Sequence, residues 1–216
     1  MANPCGEEVR DAMRNHRIGF IDTPAQGNIR PAEVIWCADN GCYTSGFPGE
    51  EKWLAWLARH AHAASTCLFA TAPDVVGNAV ATLQRSLPLL PRIRQLGYRA
   101  AMVAQDGLEA LPAPWVIPWD EFDVLFIGGS TSWKMGQHAR DLVAQAKARG
   151  KWVHMGRVNS GKRFQYAEAI GCDSVDGTYL TYGPQKNLPK LMSWVNTAEK
   201  EPGLRLDFST HQQAAA

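Results

Sequence analysis

Asp123-Val124-Leu125-Phe126-Ile127-Gly128-Gly129-Ser130 is a short apolar run closed by a glycine pair, and a longer helical pattern over Met135–Arg149 follows it. Gly150 then introduces a second apolar run, Lys151–Met155, which closes on Gly156. Strand, helix, strand in that order is the unit of a parallel sheet, because a parallel return needs a long crossover and the helix supplies it. Within Met135–Arg149 the apolar Met135, Leu142, Val143 and Ala146 fall near one face and the bases occupy the other.

Working outward, the same alternation runs along the chain. Further strand candidates are Ile18–Asp22, Glu33–Ala38, Thr66–Ala70, Ala100–Gln105 and Asp173–Asp176, and Leu204–Phe208 offers an eighth. Helix candidates are Glu50–His62, Gly77–Leu96, Lys162–Ile170 and Leu188–Ala198, with Pro88 and Pro91 expected to kink or split the second of them. The expected fold is a compact α/β (β/α)8 TIM-like barrel with a minimal strand set, formed by residues 1–208 as a single domain. An open doubly wound sheet is the competing architecture. Ser209 to Ala216 reads as a disordered tail.

At 216 residues the chain can bury a full core without staples. No apolar run approaches the length of a membrane span, and the polar Met1 to Arg10 argues against a signal peptide. A cytoplasmic protein is expected. Cys5, Cys37, Cys42, Cys67 and Cys172 form no paired framework, and Cys37 and Cys42 lack a second pair to complete a zinc site, so free thiols and no metal are expected. Formal charge is +1, yet Lys134 to Arg163 carries eight Lys/Arg against Asp141 alone, +7, leaving −6 for the rest. Within that segment Arg157, Lys162 and Arg163 follow a strand, where a phosphate-contacting role competes evenly with a solvated face.

The strand ends carry the chemistry-bearing residues. Asp39 follows the second strand, Asp74 the third, Gln105 and Asp106 end the fourth, Gly128-Gly129-Ser130 the fifth, Met155-Gly156 the sixth and Asp176-Gly177-Thr178 the seventh. In a parallel barrel these ends converge on one face. The ordered series resembles the tRNA-guanine transglycosylase superfamily from Asp39 to about Gly183. The matching stretches are Asp39-Asn40-Gly41-Cys42-Tyr43-Thr44, Val103-Ala104-Gln105-Asp106-Gly107, Phe126-Ile127-Gly128-Gly129, His154-Met155-Gly156 and Gly171-Cys172-Asp173-Ser174-Val175-Asp176.

The resemblance implies base exchange in a nucleic acid, with Asp176 as the nucleophile that forms a glycosyl ester and Asp39 as the general acid/base. Asp74 and Gln105 would read a guanine-type edge beside backbone donors at Gly129 and Ser130, and Tyr43 and Met155 would sandwich the base. No cofactor is implied. The family's cysteine-rich zinc subdomain has no counterpart, which favours DNA over tRNA, as in the DNA 7-deazaguanine transglycosylases. The incoming base would be guanine or a 7-deazaguanine such as a cyano-deazaguanine. Family members often dimerise, so a homodimer is compatible. Cys42 stands where the family has glycine, and Ser130-Thr131-Ser132-Trp133-Lys134 replaces its Leu-Ala-Val-Gly-Glu.

Two readings of other classes compete. Gly156-Arg157-Val158-Asn159-Ser160-Gly161-Lys162-Arg163 nearly spells a nucleotide-binding P-loop, but Arg163 sits at the magnesium-ligating Ser/Thr position. A noncatalytic nucleic-acid-binding module would use the same basic segment. As structural alternatives, Asp74 would cap the helix near Gly77, Asp173 would hold a backbone amide or an arginine, and His154 would satisfy a buried hydrogen bond.

Overall fold

In the computed structural model, which describes residues 1–2, 6–32 and 34–200, seven strands form one all-parallel sheet. They are β1 (Phe20–Asp22), β2 (Trp36–Ala38), β3 (Cys67–Thr71), β4 (Ala100–Ala104), β5 (Val124–Ile127), β6 (Trp152–Met155) and β7 (Ser174–Val175). Their spatial order is their chain order, β1 to β7. A doubly wound sheet would reverse direction at a switch point. This one never does, so the open alternative is excluded. Right-handed crossovers that always step the same way put every connecting helix on one face. The other face has no helices to cover it and must bury itself by rolling up.

The side chains show that it does. Neighbouring strands lie about 4.8 Å apart, so β3 and β6 would be roughly 14 Å apart in a flat sheet. Yet the ring of Phe69 on β3 is 4.9 Å from that of His154 on β6, and Phe126 on β5 lies 4.6 Å from His154. Ile35, Cys37, Leu68, Phe69, Ala101, Val103, Val124 and Phe126 form this inner cluster, in which only β3 contributes consecutive residues, with Trp152 packed against it. The alternate residues Trp36, Met102, Leu125, Ile127, Val153 and Met155 face the helices. Period-two alternation with both faces apolar is what a sheet buried on both sides requires.

The helix layer comprises α1 (Glu7–Arg14), α2 (Glu50–Arg59), α3 (Ala79–Ser86), α4 (Leu90–Gln95), α5 (Thr131–Lys134), α6 (Gln137–Ala148), α7 (Gly161–Ala169) and α8 (Pro184–Lys200). Pro91, in the first turn of α4, separates it from α3, so the single helix expected over 77–96 is two. Aromatic packing anchors the layer. Trp53 and Trp56 of α2 stack at 5.3 Å, and Trp36 meets Trp56 and Tyr98 edge-on at 6.3 and 6.1 Å. Three of the polar tips find carbonyls: Trp36 Nε1 donates to Ala63, Trp53 Nε1 to Thr71 and the Tyr98 hydroxyl to Leu57. Such groups left unpaired would each cost about 1–3 kcal/mol.

The barrel is incomplete among the described residues. No ladder joins β1 to β7; Met1 and Ala2 span the seam instead. The Met1 backbone nitrogen donates to the carbonyl of Val175, and Ala2 pairs in parallel with Phe20. The expected eighth strand, Leu204–Phe208, and the expected tail lie outside the described residues. Among the described residues the fold is therefore a rolled, seven-stranded, all-parallel sheet. No helix among the described residues is long and apolar enough to cross a membrane.

Candidate active site

The loops that leave the carboxyl ends of the strands meet at the rolled mouth of the sheet. After β2, Asp39 accepts from the Gly41 amide at 2.7 Å through Oδ1, a tight local turn that Gly41 permits with φ of 77°. Asn40 is buried and ties this turn to the next strand. Its amide donates to Thr71 Oγ1 at 2.9 Å, and its side-chain nitrogen donates to the Ala72 carbonyl at 2.9 Å and to Asp74 Oδ1 at 3.2 Å. Asp74 Oδ2 accepts from Gln105 Nε2 at 2.6 Å. Gln105 Oε1 in turn accepts from the amides of Gly77 and Gly129 at 2.9 and 3.2 Å. Three strand ends and the β5 loop are thereby locked into one polar network.

Asp74 does not cap α3. Asn78 does, accepting from the Ala81 amide at 2.9 Å. The backbone donors expected at Gly129 and Ser130 are engaged inside the protein: Gly129 with Gln105, and Ser130 with Asp106 Oδ2 at 2.6 Å. Gly129 holds φ of 48°, and a Cβ there would lie 2.3 Å from the Trp133 ring. Only glycine lets Trp133 seat under this loop.

Asp176 follows β7 with its side chain 14% exposed. Oδ2 lies 3.0 Å from His154 Nε2, and Oδ1 accepts the Arg157 amide at 3.1 Å. Burial alone would raise its pKa, but these donors outweigh it and hold the carboxyl below its ordinary value. Asp39 goes the other way. Burial pushes it up to about 7, with the charges of Asp176 and Asp74 adding to the shift against the Gly41 hydrogen bond. The charge of Asp176 thus bears on Asp39. Burial raises Asp74 as well, opposed by Asn40 and Gln105.

Arg157 forms the rim. It adopts φ of 60°, donates to the Gly128 and Gly129 carbonyls, and stacks over the Tyr43 ring at 4.5 Å. Tyr43 is 62% exposed, so its ring is available at the mouth. Met155 is not brought to it: Met155 is buried between sheet and helices, on the opposite face of β6 from His154. Lys162 is exposed, and Arg163 donates to the Arg157 carbonyl at 3.3 Å. In the P-loop-like stretch the Val158 amide donates to the Asp176 carbonyl at 2.6 Å and the Arg163 amide to Ser160 Oγ at 3.3 Å. Those amides are turned inward, which is unsuited to cradling phosphates.

Two residues of the site gave weak sequence signals. Lys134 lies in the basic segment, where a solvated position is the ordinary reading. Instead it is fully buried and donates to the Gly156 carbonyl at 2.5 Å. Burial, then the nearby Arg157, lower it to about 8. His154 reads as a buried structural histidine, and its partner proves to be Asp176. Asp173, by contrast, is structural: it accepts from the Val153 amide at 2.7 Å and pairs with Lys147 at 2.6 Å. Among the described residues no three His, Cys, Asp or Glu side chains gather as a metal site would need.

No family model matches the chain, and no curated protein matches it. Among solved structures it is similar to the Amycolatopsis orientalis BexX/CysO complex, with TM-score 0.55 at 13% identity, covering 92% of this chain and 88% of that one. It also matches Klebsiella pneumoniae BlrP1 in a calcium/cyclic-di-GMP complex, with TM-score 0.41 at 12% identity over 68% of this chain and 38% of that one. Bacillus subtilis YkuI, with an EAL domain, in complex with substrate c-di-GMP and calcium, gives TM-score 0.42 at 14% identity over 89% and 48%. At these identities the first shows a shared fold, and the other two are too distant to carry an argument. The first of these findings overturns the resemblance to the tRNA-guanine transglycosylase superfamily, since the fold is shared with the BexX/CysO complex and no transglycosylase is matched. The physical reason is that its short matches all sit at strand ends. Rolled parallel sheets of any ancestry favour glycine, small polar groups and carboxylates there.

Proposed function

We propose that the chain is an enzyme of N-glycosidic bond exchange, replacing a guanine-type base in nucleic acid, DNA in the first instance, through a covalent glycosyl-aspartate. One feature supports it: two carboxyl groups that follow strands of one sheet, with the charge of one bearing on the other, are driven in opposite directions, Asp39 towards the protonated acid and Asp176 towards the ionised carboxylate. Divergent carboxylates are the signature of sites that attack one side of an anomeric carbon while protonating the leaving group.

In the first half-reaction Asp176 forms a bond to C1′ as the C1′–N bond breaks. The bonding pair leaves with the base, and the proton on Asp39 neutralises it. In the second, ionised Asp39 takes a proton from the incoming base, whose nitrogen attacks C1′ and returns Asp176 as a carboxylate. Asp74 and Gln105 are buried in their own hydrogen-bond network, so reading the N1–H and amino donors of guanine or a 7-deazaguanine would use the lone pairs that Asn40, Gln105 and the Gly77 and Gly129 amides leave unused. Tyr43 gives the extruded base a stacking face, and Arg157, Lys162 and Arg163 lie on the rim where phosphates would pass.

The test is incorporation. The protein is incubated with radiolabelled guanine and, in parallel, with DNA and with RNA, and the polymer is counted. Label entering either polymer supports exchange, and denaturing gels of the same reaction should show a covalent adduct. Asp176→Asn should lower incorporation at least about 10³-fold while the protein stays folded by circular dichroism. Normal incorporation by that variant overturns the mechanism. Salt-dependent binding with no incorporation by the wild type would favour the noncatalytic module.

A further inference from the structure

β6 and β7 pair so that His154 stands directly opposite Ser174. Trp152 lies two residues before His154 on the inner face of β6, and Asp176 two residues beyond Ser174. Because side chains on one face repeat every second residue, this register lines up four polar groups. Trp152 Nε1 meets Ser174 Oγ at 3.0 Å, Ser174 Oγ meets His154 Nδ1 at 2.8 Å, and His154 Nε2 meets Asp176 Oδ2 at 3.0 Å.

We infer that Trp152, Ser174 and His154 form a one-directional hydrogen-bond relay that fixes His154 as the Nε2–H tautomer and thereby gives the Asp176 carboxylate a fixed donor. The direction follows from donor inventory. An indole nitrogen can only donate, so Ser174 Oγ accepts from Trp152 and its own proton is free for His154 Nδ1. A neutral imidazole that accepts at Nδ1 carries its proton on Nε2, which then donates to Asp176. The opposite tautomer would set an imidazole lone pair against the carboxylate. The alternative imidazolium is disfavoured where His154 sits. It is fully buried between the rings of Phe69 and Phe126, and burial lowers its pKa. The charged and titratable groups that bear on the pair are Lys134 beyond β5, the Met1 nitrogen at the seam, Asp39 after β2, whose carboxyl the Asp176 charge helps to raise, and Cys37 on β2, whose thiol burial holds far above its usual range.

The inference rests on the exchange reading only for its consequence; the relay itself is testable without activity. The side-chain nitrogens of His154 are observed by ¹⁵N NMR in the wild type from pH 5 to 8, and the Asp176 carboxyl by ¹³C NMR. A proton on Nε2, a bare Nδ1 and no titration of the ring across that range are expected. A proton on Nδ1, or an imidazolium forming within the range, overturns the relay. In His154→Leu the Asp176 titration should rise by about one unit or more, and the acid limb of adduct formation should move up with it, while His154→Gln, which keeps a donor where Nε2 stood, should restore most of the shift. An unmoved Asp176 in His154→Leu also overturns it. If His154→Leu does not fold, Trp152→Phe removes the first donor alone and should admit the Nδ1–H tautomer. Retention of a pure Nε2–H ring there counts against the ordering. Should no exchange be found while the tautomer and the Asp176 shift are as described, the relay stands and the proposed activity falls.

Discussion

Asp39 keeps its proton to about pH 7 because folding removes it from water, whereas unfolded it would titrate near 3.8. Between those values the folded chain holds a proton that the unfolded chain has lost. Its contribution is thus fully present below about pH 4, falls as pH rises, and is gone by about 7, at no more than about 1.4 kcal/mol per pH unit. Asp39→Asn removes that dependence. Thermal melts should show the variant more stable than wild type at pH 8 and indistinguishable near pH 4. The adduct-forming step of the wild type should weaken above pH 7, as the acid ionises. Lys134 runs the other way. Its folded value of about 8 lies below 10.5, so stability rises as pH climbs from 8 towards 10.5. At pH 7 the buried ammonium is a burden, and Lys134→Met should raise the urea midpoint by the equivalent of about 1–3 kcal/mol. The two residues differ in how readable they were. A carboxylate just past a parallel strand has few places to go except the mouth, so Asp39, Asp74 and Asp176 were legible. A lysine among seven other bases carries no mark of burial, and Met155 carries none of its phase. Val153, His154 and Met155 are all buried, and a strand apolar on both faces does not tell which residues point inward.

Among the elements, the β5–α5 connection is the most constrained. Gly128 leaves β5 where a Cβ would stand 2.7 Å from Val103 and 3.0 Å from the Gln105 amide, and Gly129 then turns left-handed over Trp133. Ser130 caps α5 through the Trp133 amide at 3.2 Å, and Trp133 reaches Glu109 at 2.8 Å through its indole nitrogen. Gly129→Ala adds both a left-handed alanine and a collision with the indole, so a loss of about 2 kcal/mol or more is expected by urea denaturation. The loop also positions Gln105, so the variant should lose incorporation in excess of what its stability explains. The glycine pair was a clear strand-end signal because close approach needs glycine. α1 gave no comparable signal. Its two buried residues, Val9 and Met13, are four apart and only Ala12 joins them while the rest of the helix is polar, which leaves too thin a stripe to separate it from a solvated leader.

At the scale of the whole molecule, the alternation of strands and helices was enough to require a parallel sheet, but not to say whether it closes. Closure depends on the last pairing, and Leu204–Phe208, which would supply it, lies outside the described residues. Pairing among the described residues is uneven. β4 and β5 share four register pairs, as do β5 and β6, whereas β1 and β2 share three, β2–β3 and β3–β4 two each, and the edge strand β7 shares two with β6 and meets β1 only through Met1 and Ala2. The buried rings of Phe69, Phe126 and His154 draw β3, β5 and β6 together, with β4 lying between them. Local opening follows the density of such contacts, so amide hydrogen exchange should be slowest in β4 and β5 and fastest in β1 and β7. The candidate nucleophile therefore follows an edge strand that shares two register pairs with β6. His154 and the Arg157 amide tie Asp176 back to β6, and that tie should register in exchange rates. Asp176→Ala should accelerate the amides of Val175 and Val158 while leaving those of Met102 and Leu125 unchanged. Equal protection in all seven strands, or acceleration spread evenly over the sheet, would mean that the seam is as firm as the centre and that Asp176 is held by the whole sheet rather than by its two donors.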